Sequence, residues 1–366
     1  MSGKDLIFMK RAIDLASRGA GFVNPNPQVG CVVVKNGLVI GEGWHNAFGD
    51  LHAERHALNN CTEDPGGATL YVSLEPCCHF GKTPPCTDII IEKGIKRVVA
   101  GIVDPNPLVS GKGFETLRQA GVEVEYGLEA DSICYQNRFF IRHTETKMPW
   151  VMLKTAMTMD GKSATSCGDS KWISNTLSRQ KVHRLRHEAM AVMVGIATVE
   201  ADDCMLNCRL EGEVCQPVRI VVDSFARLST NSKLVQTAHD FPVVVAHTQQ
   251  APSLNLKKLQ DAGVELLECN SLEGRVDVCH MIKQLGMKNI DSVLLEGGGT
   301  LNFSFAKSGL IDEVFAFVAP KLIGGLHAKT SLDGEGFAAM SDSIQLEHTQ
   351  VEMLGNDVLI HSLVKK

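Results

Sequence analysis

The 366-residue chain has no apolar run long enough to span a bilayer. Met1 to Ala16 alternates charged and apolar residues and lacks the unbroken apolar core of a signal peptide. Both absences argue against membrane insertion or export and make the cytoplasm the expected compartment. Aromatic residues are scarce at 5%, and basic residues do not dominate, the formal net charge being -6. That balance argues against the broad basic, aromatic-lined groove that single-stranded nucleic acid needs. Internal repeats and low-complexity segments are also missing. What is present is an ordinary globular composition, 44% hydrophobic and 21% charged, which excludes disorder, collagen and coiled coil in a chain long enough for two cores. Twelve cysteines in a chain without an export signal read as reduced, buried or metal-bound thiols.

Hydrophobic periodicity predicts an α/β chain. Leu6, Met9, Ile13 and Ala16 recur at helical spacing, and apolar strands at 29–34 and 38–41 flank the hairpin dipeptide Asn36-Gly37. Further expected elements are a helix at 52–59, a strand at 69–74, a helix at 87–93, a strand at 97–102, a helix at 112–120, a strand at 123–126 and one helix at 129–140. Polar residues 141–149 read as a linker, giving domains at 1–145 and 149–366. In the second domain, strands are expected at 151–156, 189–195, 218–222, 242–246 and 292–295, and helices at 175–187, 254–262, 275–285 and 300–308. Strand-rich segments at 312–318 and 351–363 follow. This pattern predicts a largely parallel sheet finished by antiparallel strands.

The chemistry concentrates in His52-Ala53-Glu54 and in Pro76-Cys77, with eight residues separating Cys77 from Cys86. One imidazole and two thiolates can hold Zn2+ with a fourth position open to water, the arrangement of catalytic rather than structural zinc. Glu54 is then placed to move protons for that water, as in hydrolytic deaminases, whose signature pairs His-x-Glu with Pro-Cys. The alternative is a structural zinc knot closed by Cys78 or His79. Deaminases commonly end Pro-Cys-x-x-Cys, so the spacing of Cys77 and Cys86 is a departure from that pattern.

Pro-Cys-x-His-x-Gly-x-Thr-Pro-Pro-Cys across 76–86, together with Asn24-Pro25-Asn26-Pro27 and Asp104-Pro105-Asn106-Pro107, resembles the deaminase half of the bifunctional riboflavin-pathway deaminase/reductase family. The resemblance implies a cytidine-deaminase-like three-layer α/β/α domain with a mixed sheet. It also implies that Asn26, His45, Lys82, Asp104 and Asn106 surround a pyrimidine and its sugar phosphate. Taken alone, the two asparagines lie in proline-rich turns where Asn is common, and Lys82 reads equally as a surface lysine.

In the second half, Leu294-Leu295-Glu296 runs into Gly297-Gly298-Gly299-Thr300-Leu301. An apolar strand, a glycine run and a helix start form either a phosphate cradle or a tight turn. Lys154 to Lys162, Ser170 to Ser174 and Ala201-Asp202-Asp203 are similar to the reductase half of the same family, which implies a dihydrofolate-reductase-like α/β domain using NADPH. By that resemblance Ala156, Trp172, Thr198, Asp202 and the turn Gly298, Gly299, Thr300, Leu301, Asn302, Phe303 and Ser304 contact the cofactor. Lys154, Ser170, Arg186, Leu206, Arg209 and Glu296 hold the substrate, Arg186 and Arg209 serving as phosphate forks. Lys154, Asp202 and water are open candidates for the proton donor. The family usually reads Asp-Asp-Pro where this chain reads Asp202-Asp203-Cys204, and the missing proline predicts a looser substrate loop. Cys204, Cys208 and Cys215 read as a second metal site or as small buried residues. The implied function is zinc-dependent deamination of a diaminopyrimidine ribose phosphate followed by NADPH-dependent reduction of its ribosyl group, with small-molecule substrates and a homo-oligomer. A deaminase acting on another nucleoside or on nucleic acid is the alternative.

Overall fold

The computed structural model describes residues 3–80 and 84–366. Contacts divide the chain into two compact units, Met1–Lys147 and Met148–Lys366.

In the first unit the elements run α1 (Gly3–Ser17), β1 (Gly30–Lys35), β2 (Leu38–Trp44), α2 (Ala53–Asn59), β3 (Thr69–Leu74), α3 (Cys86–Glu92), β4 (Arg97–Ile102), α4 (Lys112–Gln119), β5 (Glu123–Tyr126), α5 (Ala130–Gln136) and α6 (Arg138–Thr146). The sheet order is β2-β1-β3-β4-β5. β1 is antiparallel to β2 and β3, while β3, β4 and β5 are parallel, so the sheet is mixed as expected. Helices cover both faces. A Cβ on Gly30 would lie 1.9 Å from Ala12 O of α1, and one on Gly43 would lie 2.3 Å from Ala57 N of α2. Gly43 pairs with Cys31, the neighbour of Gly30 along β1, and successive strand residues face opposite sides, so α1 and α2 lie on opposite faces. Buried valines at 32, 33, 72, 98 and 99 fill the space between these layers.

The single helix expected at 129–140 is broken. Buried Asn137 turns its side chain back, accepting from Gln28 N at 2.7 Å and donating to Gln28 O at 3.1 Å, which separates α5 from α6. The expected linker 141–149 is mostly the rest of α6, which buries Phe139 and His143 on one side.

The second unit runs β6 (Trp150–Thr158), α7 (Thr176–Glu188), β7 (Ala191–Gly195), α8 (Ile196–Asp202), β8 (Val218–Val222), α9 (Lys233–Gln236), β9 (Val243–Thr248), α10 (Ser253–Asp261), β10 (Glu265–Cys269), β11 (Ser271–Leu272), β12 (Arg275–Val276), α11 (Val278–Met287), β13 (Ser292–Leu295), α12 (Gly299–Lys307), β14 (Glu313–Ala319), β15 (Leu346–Leu354) and β16 (Asp357–Val364). The main sheet is ordered β10-β9-β8-β7-β13-β6-β14-β16-β15. It is parallel from β10 to β14 and antiparallel over β14, β16 and β15, which matches the expected finish.

The helix expected at 275–285 begins three residues later, because the Asp277 side chain caps the N–H groups of Cys279 and His280 and leaves Arg275–Val276 to pair with β11. Arg219 of β8 is fully buried, and among the described residues it has no carboxylate partner. Its guanidinium donates to Met205 O, Leu234 O, Thr237 O, Thr237 Oγ1 and Phe241 O. Burial draws its pKa down to about 10.

The close approach of α2 to β2 is the fold contact that sets the first site, because α2 carries Glu54 and starts just after His52. Gly43→Ala drives a Cβ against α2 backbone and is expected to destabilise the chain by about 1–3 kcal/mol. A lowered thermal midpoint with reduced bound zinc is the expected reading; Gly3→Ala, with nothing within 4 Å, leaves both unchanged.

Candidate active sites

β3 and β4 are parallel, with Leu74 paired to Ile102, so the segments leaving them emerge at the same edge of the sheet. One carries Glu75-Pro76-Cys77 and the other Asp104-Pro105-Asn106. At that edge His52 occupies the N-cap of α2 and Cys86 the first position of α3. His52 Nδ1 lies 3.4 Å from both Cys77 Sγ and Cys86 Sγ, and the ligand atoms of the three residues fall within 4.8 Å of one another. Cys77 Sγ also accepts from Cys86 N at 3.3 Å, and Cys77 O accepts from the same N–H at 3.0 Å, so the start of α3 is built around this sulfur. Hydrogen bonds from Cys86 and His52 pull the Cys77 pKa down to about 4, while Cys77 and burial push that of Cys86 well up. A second thiolate is disfavoured beside the first unless a cation joins them. An imidazole and two sulfurs suit zinc, and the donor set fits it. Among the described residues this is the one cluster of metal-ligating type, so neither Cys78 nor His79 closes it, and Cys204, Cys208 and Cys215 form no second.

Glu54 is 4% exposed, in the first turn of α2, and burial pushes its pKa up to about 7. A carboxyl in that range can both accept and return a proton at neutral pH. His45 is buried, its Nδ1 3.1 Å from Leu51 O and its Nε2 3.2 Å from Asn26 Nδ2, with its ring edge-on to His52 at 5.7 Å. Asp104 is buried, which pushes its carboxyl up to about 6, and it accepts from Asn106 N at 2.8 Å. Lys82 lies outside the described residues.

The second site is a cavity of about 900 Å³ at the carboxyl ends of β6, β7, β8 and β13. β13 returns to lie between β7 and β6, which places the cavity where the strand order reverses, the usual ligand crevice of a parallel sheet. Lys154, Ala156, Ser170, Trp172, Arg186, Thr198, Asp202, Leu206, Arg209 and Glu296 all line it, as do Gly298, Gly299, Thr300, Leu301, Asn302 and Ser304. Phe303 does not; its ring packs against Phe337 at 5.5 Å. The glycine turn and the start of α12 open onto a cavity edged by cations, which fits a phosphate-bearing nicotinamide cofactor.

Arg186 differs from the expected phosphate fork. Its Nε and Nη2 donate to Glu296 at 2.6 and 2.9 Å, and its Nη1 donates to Asn207 O at 3.1 Å, so its fork is already filled by a carboxylate. Lys154 Nζ stands 3.5 Å from the same carboxylate. Burial pushes the Glu296 carboxyl upward, but Arg186 and Lys154 outweigh it and hold the pKa at about 2. Arg209 is exposed, and its guanidinium donates to Asn207 Oδ1 at 2.7 Å rather than to a carboxylate, which leaves it more open to an incoming anion than Arg186.

The loop predicted to be loose without its proline is held at several points. Asp203 Oδ1 accepts from Lys233 N at 2.9 Å, Met205 O from Arg219 at 3.3 Å, and His183 Nδ1 from Arg209 N at 3.3 Å. Gln216 accepts from Cys208 N at 2.8 Å and donates to Cys208 O at 2.9 Å. Asp203 and Leu206 take positive φ values of 42° and 53°, backbone bends made without proline.

Other cavity-lining residues escaped the sequence reading, among them His183, Ser224, Phe225, Arg227 and Arg275. Ser224 stands two residues past the end of β8, and a rule that ligands gather at strand carboxyl ends could have found it. His183 sits on a helix face whose direction local sequence does not reveal.

Residues 149–360 match the family described as RibD C-terminal domain, and residues 2–102 match the cytidine and deoxycytidylate deaminase zinc-binding region. The riboflavin biosynthesis protein RibD of Actinobacillus pleuropneumoniae is 48% identical over 360 residues, covering 98% of this chain and 95% of that protein. The Escherichia coli K12 protein of the same name is 36% identical over 370 residues, covering 98% and 99%. Among solved structures, Acinetobacter baumannii RibD superposes with a TM-score of 0.89 at 38% identity over 99% of both chains. A Thermotoga maritima diaminohydroxyphosphoribosylaminopyrimidine deaminase/5-amino-6-(5-phosphoribosylamino)uracil reductase superposes with a TM-score of 0.88 at 40% identity, again over 99% of both. The chain belongs to the RibD family of riboflavin biosynthesis enzymes, with a cytidine-deaminase-like half followed by the family's reductase half.

Proposed function

We propose that the chain first deaminates 2,5-diamino-6-(5-phosphoribosylamino)pyrimidin-4(3H)-one by hydrolysis. It then reduces the ribosyl group of 5-amino-6-(5-phosphoribosylamino)uracil to a ribityl chain with NADPH. The observation that carries this reading is the pairing, in one chain, of the His52, Cys77 and Cys86 cluster beside buried Glu54 with a separate nucleotide-sized cavity built around Glu296.

In the first step His52, Cys77 and Cys86 would hold Zn2+, which would supply the Lewis acidity that makes water a nucleophile near neutral pH. Glu54 takes one proton from the attacking water and gives it to the ring nitrogen, then carries the second, from the added hydroxyl, to the departing amine. The C–O bond forms first at the expense of the ring C=N double bond, and the exocyclic C–N bond then breaks as the carbonyl forms and ammonia leaves. His45, fixed by Leu51 O and Asn26, and Asp104 and Asn106 on the neighbouring strand-end loop orient the pyrimidine and its sugar phosphate, with Lys82 as a cation for the phosphate.

In the second step bound NADPH would supply hydride to sugar C1', and the ring oxygen would leave C1' as a hydroxyl with a proton from Lys154, Asp202 or water. Ala156, Trp172, Thr198, Asp202 and the turn from Gly298 to Ser304 bind the cofactor, Phe303 supporting the turn through its packing on Phe337. Ser170 donates to Asp202 at 3.2 Å, joining the cofactor side of the cavity to the substrate side. Glu296, braced by Arg186 and Lys154, is a fixed acceptor for sugar hydroxyls, while Leu206 and Arg209 close on the ribose phosphate. No helix among the described residues is long and apolar enough to cross a membrane, and a cytoplasmic homo-oligomer acting on small molecules is part of the same reading.

Two substitutions test the assignment. Glu54→Gln retains zinc but lowers ammonia release by about 100-fold or more, the scale of a lost general acid–base group. NADPH oxidation on supplied deaminated product survives in the same protein, and joint loss of both activities in a folded variant contradicts separate sites. Arg209→Ala raises the KM of the reductase step about 10–100-fold, the worth of a charge-assisted hydrogen bond, and leaves the deaminase KM alone. An unchanged reductase KM removes Arg209 from the phosphate site.

A further inference from the structure

Glu75 is neither a metal ligand nor one of the residues assigned to substrate, yet it is 3% exposed and sits directly before Pro76-Cys77. Its carboxylate accepts from four backbone N–H groups of one neighbouring segment. Oε2 accepts from Asp104 N at 3.1 Å and Gly111 N at 2.9 Å, and Oε1 accepts from Gly113 N at 3.0 Å and Phe114 N at 3.3 Å. The first of these donors belongs to Asp104 itself, and the last two are N–H groups at the start of α4, which need a partner from outside the helix. The cap residue of α4 is Gly111, which has no side chain to supply one.

The same carboxylate therefore fixes both ends of the 104–113 loop. Within the loop, Asp104 Oδ1 accepts from Asn106 N at 2.8 Å, and Asn106 Oδ1 accepts from Leu108 N at 3.1 Å. The contact is also close-packed, since a Cβ on Gly113 would lie 2.1 Å from Pro76 O and 3.1 Å from Glu75 Oε1. Glu75 N is tied to Ile102 O at 3.0 Å, so its own backbone is anchored on β4.

We infer that Glu75 is a positioning residue for the deamination step: it locks the loop carrying Asp104 and Asn106 to the segment carrying Cys77, and so sets the distance between the pyrimidine's binding groups and the metal. The inference rests on the proposed roles of Asp104 and Asn106 and adds the group that places them. Its effect falls on substrate binding rather than on the metal, because none of the four donors belongs to a zinc-ligating residue.

Steady-state kinetics of the full chain with the diaminopyrimidine substrate, read beside bound zinc and reductase activity on deaminated product, tests this. Glu75→Gln replaces one oxygen with an NH2 that faces N–H donors. It is expected to raise the deaminase KM about tenfold or more, the cost of unpaired buried donors, with zinc content, deaminase kcat and the reductase step within twofold of the parent. Glu75→Asp keeps the charge at shorter reach, gives an intermediate KM, and carries the test if Glu75→Gln does not fold. In an Asp104→Ala, Asn106→Ala background the Glu75 substitution adds no further rise, since what it positions is gone. A raised KM in that background parent but not in the Glu75 variants overturns the inference alone. An unchanged KM in the background parent overturns the reading beneath it. Loss of zinc in both Glu75 variants, or a further rise in the double-substituted background, shows a general structural role and also overturns it.

Discussion

Parallel strand pairing delivers the segments leaving neighbouring strands to the same edge of a sheet, and both candidate sites depend on it. In the first unit the register of Leu74 with Ile102 puts the metal-ligating loop beside the Asp104 loop. In the second, β13 inserted between β7 and β6 brings Glu296, Thr198 and Lys154 to one crevice from distant parts of the chain. Helix starts at the same edge then add N–H groups and preformed geometry: α2 and α3 for the metal cluster, α12 for the cofactor cavity.

Gathering polar groups at buried edges has a large desolvation cost, and each group meets it differently. Glu296 is paired with Arg186 and Lys154 and stays charged to low pH. For Glu54 burial outweighs the neighbouring His52 and a Cys86 hydrogen bond and raises the pKa to about 7, the range a proton carrier needs. Glu75 is answered by backbone N–H groups and Arg219 by backbone carbonyls, which makes both structural ties. The difference between the two glutamates of the first unit thus follows from their surroundings, one facing the metal cluster and the other facing a loop.

Much of this was legible in the sequence. His52, Glu54 and Cys77 follow from the His-x-Glu and Pro-Cys pattern, Cys86 is singled out as a second thiol despite its longer spacing, and the alternation of strands and helices follows from period alone. Long-range side-chain bonds were not legible. Asn137 breaks a helix to reach Gln28, more than a hundred residues away, and Arg186 looks like a free phosphate fork until Glu296 is seen to fill it. The substrate loop read as loose for want of a proline is instead pinned by His183, Gln216, Arg219 and Lys233, whose convergence only tertiary structure reveals. Asp277 shifted a helix start by a side-chain cap that periodicity cannot register against the preceding short strand.

One chain pairs a deaminase half with a reductase half, and the proposed reading has them act in turn on the same sugar phosphate. The most direct measurement incubates the purified protein with the diaminopyrimidine ribose phosphate and NADPH and follows ammonia and NADPH absorbance together. One ammonia is expected per NADPH oxidised at completion, with ammonia appearing first and continuing when NADPH is withheld. NADPH oxidation without ammonia release, or ammonia release with no NADPH oxidation at all, contradicts it.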